Sequence, residues 1–260
     1  HRLIARFGVA SAHLREALAL AALPATHESR PNVLLVVLDT VRFDALSLGI
    51  ENDREFPQAD TPNLRRLAER GVNFRRAVST ASWTLPAHAG MFTGHFTDAH
   101  RATWHRPPQP ELTTLAERLS DHGYLTGGFV GNTIYCSRET GLAKGFVRYE
   151  DYPLTWTRIL QSTPLGRYVL QTLKARRIDR VERKRAPQVT EPFFAWLDAH
   201  AMKDRPFFAF LNYFDAHDPY VPPKDFAEAV PTEEPDRVAI RDWWHIDKHT
   251  LTDQQVALGL

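Results

Sequence analysis

The chain has 260 residues, 43% hydrophobic and 24% charged, which is the composition of a folded protein rather than a disordered one. That length suits one large α/β domain or two small ones. A formal net charge of +1 gives no electrostatic reason to expect nucleic acid as a partner, and the single cysteine, Cys136, excludes an internal disulfide.

Residues 1–23 set Leu3, Ile4, Phe7, Leu14 and Leu18 at roughly helical spacing, which predicts an amphipathic helix. Pro24 to Pro31 reads as a linker, so residues 1–30 are expected to be an amphipathic helix and linker ahead of a main domain at 31–260. No stretch is apolar for long enough to cross a bilayer; the longest apolar run, Ala17 to Ala25, is broken by Pro24. The chain opens on His1 rather than Met, which fits a processed form or a fragment and leaves open a membrane anchor upstream. The compartment stays undetermined.

Asn32-Val33-Leu34-Leu35-Val36-Val37-Leu38 is a continuous β-branched and leucine run, predicted to be a central parallel strand buried on both faces. It ends in Asp39. Ligands of open α/β sheets gather at the carboxyl ends of strands, so Asp39 is a candidate metal or substrate contact, with a turn cap as the plainer role. Thr61-Pro62 through Gly71 predicts a helix capped by Thr61, with proline in its first turn and a glycine stop. Val72 to Val78 is expected to be a short strand.

Ser82 to Gly94 is the stretch that the rest is organised around. Thr84 fits an N-cap, Pro86 is tolerated in a first turn, and Thr93-Gly94 closes a short apolar helix. The start of such a helix attracts anions through its unclaimed N–H groups and the positive end of its dipole. One stretch therefore offers a hydroxyl nucleophile beside an anion site, although by itself such a threonine is more often a cap.

Thr97 to Pro110 reads as a loop carrying His100 and His105. Glu111 to His122 predicts a helix, Tyr124 to Val130 a strand, and Gly131-Asn132 the opening of a loop that runs to Gly145-Phe146. Cys136 reads as a plain loop or core residue. Residues 152–190 look like a helical excursion. Within it the basic stretch Lys174 to Arg185 reads as a solvated helix face, with Val169, Leu173, Ile178 and Val181 turned inward. Glu191 to Ala201 predicts another helix. Pro206 to Tyr213 is a second buried strand, ending in Asp215-Ala216-His217-Asp218-Pro219. His245 and His249, four apart but without a following glutamate, read as surface histidines, and a closing helical run starts at Thr252. Strand and helix alternate throughout. The expected fold is thus α/β: a mostly parallel, doubly wound sheet with helices on both faces, gathering Asp39, Thr84, Asn132 and His217 on one edge.

Five segments in this order resemble the sulfatase family of the alkaline phosphatase superfamily. Pro31 to Arg42 resembles its opening strand, and Thr61-Pro62-Asn63-Leu64 with Gly71-Val72 its first helix. Thr84 to Gly94 falls on its C-x-P-S-R…T-G signature. Gly123-Tyr124-Leu125-Thr126 is similar to a later strand, and Phe207 to Pro223 to the segment carrying a substrate-binding histidine. The resemblance implies an alkaline phosphatase-like fold. It makes Asp39 a ligand of a divalent cation, with Thr84 sharing that ion and taking the nucleophile position. It gives His217 contact with the ester oxygens or protonation of the leaving group. It sets Asn132 in the place of a substrate-binding lysine and His88 in that of the signature arginine. One or two divalent ions are implied, with Ca, Mg, Mn and Zn all open.

The departures from the pattern matter as much. The best-known sulfatases carry cysteine or serine where Thr84 stands and convert it to formylglycine, so no formylglycine is expected here. Cys136-Ser137-Arg138 lacks the proline and does not substitute for the signature. The family's second aspartate is Thr40 in this chain. The remaining metal ligands would lie beyond Leu260, so the resemblance implies the N-terminal part of a longer protein.

The implied chemistry is displacement at sulfur or phosphorus in an ester of a small molecule, glycan or lipid. A sulfated threonine has no easy exit, whereas a phosphothreonine is an ordinary intermediate at a metal site. The chemistry therefore points toward phosphate esters while the motifs point toward a sulfatase. Two alternatives stay open: a transferase of phospho-headgroups, and a non-catalytic member that binds anions or glycans.

Overall fold

The computed structural model describes residues 14, 16–25, 30–48, 59–151, 183–200, 205–217 and 252. Expectations for residues 1–13, for the 152–190 excursion up to residue 182, for His245 and His249, and for the run after Thr252 lie outside the described residues. The chain forms two compact units, residues 1–37 with 79–214, and residues 38–78 with 215–260.

Among the described residues the first unit is built on a four-stranded sheet of β1 (Val33–Leu38), β2 (Leu125–Val130), β3 (Arg148–Glu150) and β4 (Phe207–Tyr213), in the order β1-β4-β2-β3. β2 runs parallel to both neighbours, pairing Leu125 with Phe207 through Val130 with Asn212 on one side, and Gly127 with Arg148 through Phe129 with Glu150 on the other. This is the expected parallel α/β sheet. Alternation along the strands divides the core in two. Val130, Phe208 and Phe210 point into one cluster with Leu85, Ala89 and Phe92 of α3 (Thr84–Thr93) and Ala116 of α5 (Leu115–Asp121). Leu125, Phe129, Ala209 and Leu211 point into the other, against Val189, Phe193 and Trp196 of α6 (Ala186–His200). Each fully buried valine, leucine or phenylalanine among these contributes about 1.5–3 kcal/mol.

Two consecutive glycines sit in the middle of β2, and packing explains both. A Cβ at Gly127 would come within 3.0 Å of the Trp196 ring, and one at Gly128 within 2.4 Å of the Tyr149 ring. The bare backbone lets an aromatic ring lie against each face of the strand. Thr126, fully buried beside them, is satisfied by donating to the Gly145 carbonyl at 2.8 Å and accepting from the Val147 amide at 2.9 Å.

Several expectations are corrected. Among the described residues β1 lies at one end of the sheet order rather than in its middle, with Val33, Leu35 and Val37 against the core and Leu34, Val36 and Leu38 exposed. α6 lies over β2 and β4, and it is that cover which buries a second face. α6 itself begins at Ala186, not Glu191, and runs through Pro192, which sequence alone places in a first turn. α5 begins at Leu115 because Thr114 and Glu117 form a reciprocal capping box there. Thr97 to His100, expected as loop, forms the short helix α4.

The described part of the N-terminal helix, α1 (residues 16–22), is amphipathic with the opposite facing. Leu14 and Leu18 are exposed, while Glu16 is buried, paired with Arg148 at 3.3 Å and 3.7 Å from His200. Leu20 and Leu23 supply its apolar contact with the second cluster. The basic stretch is corrected at its end. Lys184 is not a solvated side chain: it is 5% exposed and donates from Nζ to the Glu150 carbonyl at 2.8 Å.

In the second unit the chain turns sharply after Leu38, with Thr40 at φ 60°, and enters a 3₁₀ turn at Phe43–Ala45. α2 (Pro62–Glu69) has Thr61 at its cap position. The Thr61 hydroxyl serves the Ser47 amide at 3.1 Å rather than the helix, while the Thr61 amide donates to Ser47 Oγ at 2.8 Å. No strand forms over Val72 to Val78, where Val72, Phe74 and Val78 are exposed. A stretch with strand-forming residues makes a strand only where another strand takes up its backbone groups, and no such pairing forms among the described residues.

Candidate functional site

Thr84 opens α3. The cap position falls one residue earlier than expected, at Trp83, whose extended backbone leads into the helix without a side-chain cap bond. The helix closes as expected at Gly94, with φ 70° and its amide bonded to the Gly90 carbonyl at 2.9 Å. The Thr84 hydroxyl is half-buried and lies 3.5 Å from Nδ2 of Asn132, which donates to it.

Asn132 follows β2 and is held from several sides. Its Oδ1 accepts from the amides of Ile134 at 3.3 Å and Tyr135 at 3.0 Å, and its own amide donates to Asn212 Oδ1 at 2.9 Å. An asparagine whose oxygen is engaged by two backbone amides has only its NH₂ left to present, so the clamp fixes which end of the amide faces Thr84. Asn132 and Asn212 are 1% and 0% exposed, and they stand at the carboxyl ends of the parallel strands β2 and β4. Asn212 had no signal in the sequence beyond being a polar residue inside an otherwise apolar strand. Arg183 is a second residue that sequence reasoning set aside. It pairs with Asn132 in an antiparallel bridge and lies over the Phe214 ring at 5.4 Å.

His88 stands one turn into α3. Its Nδ1 donates to the Thr84 carbonyl at 2.7 Å, and its ring packs edge-on to Phe210 and Phe92 in the first core cluster, at 2% exposure. The structure thus puts His88 inside the core, bonded back to the residue that opens the helix.

The second unit holds the other two candidates. Asp39 directly follows β1 and is 7% exposed. His217 lies in the turn after β4, half-buried. The two turns meet where the Thr40 hydroxyl donates to the Ala216 carbonyl at 3.4 Å. Asp215, flanking that bond, has both carboxylate oxygens out of reach of solvent. Two carboxylates in turns tied together supply hard oxygen donors of the kind that suit Ca, Mg or Mn. Among the described residues no three His, Cys, Asp or Glu side chains gather as a metal-holding group, so this donor set is partial. Thr84 and Asn132 therefore come together in one unit, and Asp39 and the His217 turn in the other.

His100, at the end of α4, is fully buried, and its Nδ1 accepts from the Ala102 amide at 3.0 Å. Burial, then the neighbouring His95, pushes its pKa below the ordinary 6.5, with Asp98 and the carbonyls of His100 and Pro86 partly offsetting this. Below about pH 6.5 the unfolded chain takes up a proton that folded His100 resists, so stability falls with acidification. His100→Asn keeps an acceptor for Ala102 but cannot titrate. Thermal unfolding at about pH 7.5 and about pH 5.5 should show a smaller acid loss in the variant than in the parent. Equal losses would place the sensitivity elsewhere.

A family profile described as Sulfatase matches residues 31–256. A multifunctional alkaline phosphatase superfamily protein of Trinickia caryophylli is 38% identical over 97 residues, covering 37% of this chain and 19% of that protein. Iduronate 2-sulfatase of Mus musculus is 24% identical over 221 residues, covering 78% of this chain and 38% of that protein. Among solved structures, the phosphonate monoester hydrolase of Agrobacterium radiobacter superposes with a TM-score of 0.56 at 22% identity, covering 78% of this chain and 44% of that one, a likeness of fold. The chain spans less than half the length of each of these proteins.

Proposed function

The chain belongs to the sulfatase family, and from that premise we propose that it carries the nucleophile half of a metal-dependent hydrolase of phosphate or sulfate esters, with Thr84 as the attacking residue. The observation that supports this most is the clamp on Asn132, which directs its NH₂ at the Thr84 hydroxyl. That group would hold an anionic ester oxygen or steady the hydroxyl for attack. The same NH₂ stands where the resemblance sets a substrate-binding lysine.

In this reading Thr84 Oγ forms a bond to phosphorus or sulfur, its proton passing to solvent, while the bond to the leaving oxygen breaks. The family resemblance assigns protonation of that oxygen to His217. Water then cleaves the threonine ester and frees the inorganic anion. Asp39, with Asp215 as a further donor, would hold a divalent cation. When bound, such an ion supplies Lewis-acid charge, lowering the pKa of a coordinated hydroxyl and offsetting charge on the ester oxygens. His88, which stands in the place of the signature arginine, secures the first turn of α3 from within the core.

The names of the relatives include both sulfate and phosphorus esters, and a threonine at position 84 favours phosphorus. Hydrolysis at phosphorus leaves a phosphothreonine that water can resolve, so phosphate or phosphonate esters are the preferred substrates. Steady-state assays of the natural-length protein on aryl phosphate, phosphonate and sulfate esters with matched leaving groups test this. The phosphorus esters should exceed the sulfate by about tenfold or more in kcat/KM. A sulfate preference would overturn the choice of substrate, and no turnover of any ester would favour the non-catalytic alternative.

A further inference from the structure

A cluster of aromatic rings that the chemistry above does not use begins at Trp83, the residue before Thr84. Trp83 and Trp104 stack with centroids 5.4 Å apart and planes 29° from parallel, and Tyr135 meets Trp83 edge-on at 6.5 Å. Trp83 is 53% and Trp104 45% exposed. Tryptophan buries more apolar surface than any other residue, so two half-exposed indoles stacked on each other form an apolar face open to a ligand.

Three separate segments present these rings, and each is held. Trp83 immediately precedes Thr84. Tyr135 belongs to the Asn132 turn, its amide bonded to Asn132 Oδ1 at 3.0 Å. Trp104 rides on a closed turn in which the Thr103 amide donates to the Arg106 carbonyl at 3.0 Å and the Arg106 amide to the Thr103 hydroxyl at 3.1 Å. The His105 ring packs against Trp104 and supports it. The face is thus preorganised, which reduces the entropy lost when a ligand settles on it.

We propose that Trp83, Trp104 and Tyr135 form the platform for the organic group of the ester, and that they select substrates whose leaving group has a flat ring face. The proposal rests on Thr84 being the reacting hydroxyl: Thr84 directly follows Trp83 and faces Asn132, whose turn carries Tyr135. The shared chemistry is an apolar ring surface, offered either by an aromatic ring or by the C–H face of a sugar. Both stack well on indole, whereas a linear alkyl group presents little area.

The test is a set of calorimetric titrations with probes that share one head group, so that it needs no turnover. Phenylphosphonate, a sugar phosphonate and methylphosphonate are titrated into the parent, Trp104→Leu and Trp104→Phe, all at natural length. At least one ring-bearing probe should bind on the order of tenfold more tightly than methylphosphonate. That advantage should vanish in Trp104→Leu and persist in Trp104→Phe, which keeps a flat ring. Preference for phenyl alone identifies an aromatic leaving group, and preference for the sugar alone a glycan. Equal affinity for ring and alkyl probes, absence of binding by every probe, or an unchanged ring preference in Trp104→Leu would each overturn the platform. A ring preference that survives together with full activity of Thr84→Ala would uphold the platform while removing the role of Thr84. Loss of the preference with an inactive Thr84→Ala would do the reverse.

Discussion

Thr84→Ala is expected to lower kcat by about 10³-fold or more, with KM little changed, because the variant lacks the only atom proposed to bond with the substrate. Its fold should survive. Alanine favours helices, Thr84 is only half-buried, and it makes no cap bond that the first turn of α3 depends on, so the stability change should stay within about 1 kcal/mol. Thr84→Ser retains the hydroxyl and should retain a measurable part of the activity. That pattern separates loss of a nucleophile from general damage. Asn132→Ala should be milder in chemistry but harsher in structure, since Asn132 Oδ1 also closes the turn through Ile134 and Tyr135. Steady-state kinetics paired with thermal unfolding on the four proteins would show the two axes independently.

The second large effect is expected at Asp39. Exchange of Asp39 for Asn preserves shape and volume at a 7% exposed position but removes a full negative charge from the donor set. Cation affinity should fall at least about tenfold, on the scale by which ligand and supporting residues usually affect metal binding. Treatment with a chelator should inactivate the parent, and divalent cation should restore it, whereas Asp39→Asn should need far more cation to reach the same activity. Metal content measured on the dialysed proteins checks the binding directly. A variant that holds the cation as tightly as the parent would remove Asp39 from the ligands.

How much of this could be read beforehand depends on what each residue type can hide. The two buried strands β2 and β4 were legible, because their short length, aromatic content and flanking turn residues favour a strand over a helix, and Phe208, Phe210 and Leu211 do lie in the core. β1 carries the same kind of run yet has an exposed face, since a strand's composition does not show whether a helix will cover its second side. Val72 to Val78 has strand composition and no strand, because pairing depends on a partner elsewhere in the chain. Boundaries failed where the deciding contact is specific: the Thr114–Glu117 box shortens α5, and Thr61 spends its hydroxyl on Ser47 instead of on α2. In the candidate site, the positions of Thr84, Asn132 and Asp39 at strand ends or a helix start followed from local sequence. The clamp by Asn212, the burial of His88 and the docking of Arg183 beside Asn132 depend on residues far apart in the chain, and no local pattern announces them.

The most direct measurement is to quench the natural-length protein in acid during turnover of a phosphorus ester and to map by mass spectrometry where the transferred group resides. A phosphoryl or phosphonyl group on the Thr84 peptide, absent from Thr84→Ala, is the predicted result. The group found on another residue, or a Thr84→Ala protein that turns over the ester at the parental rate, would contradict the account.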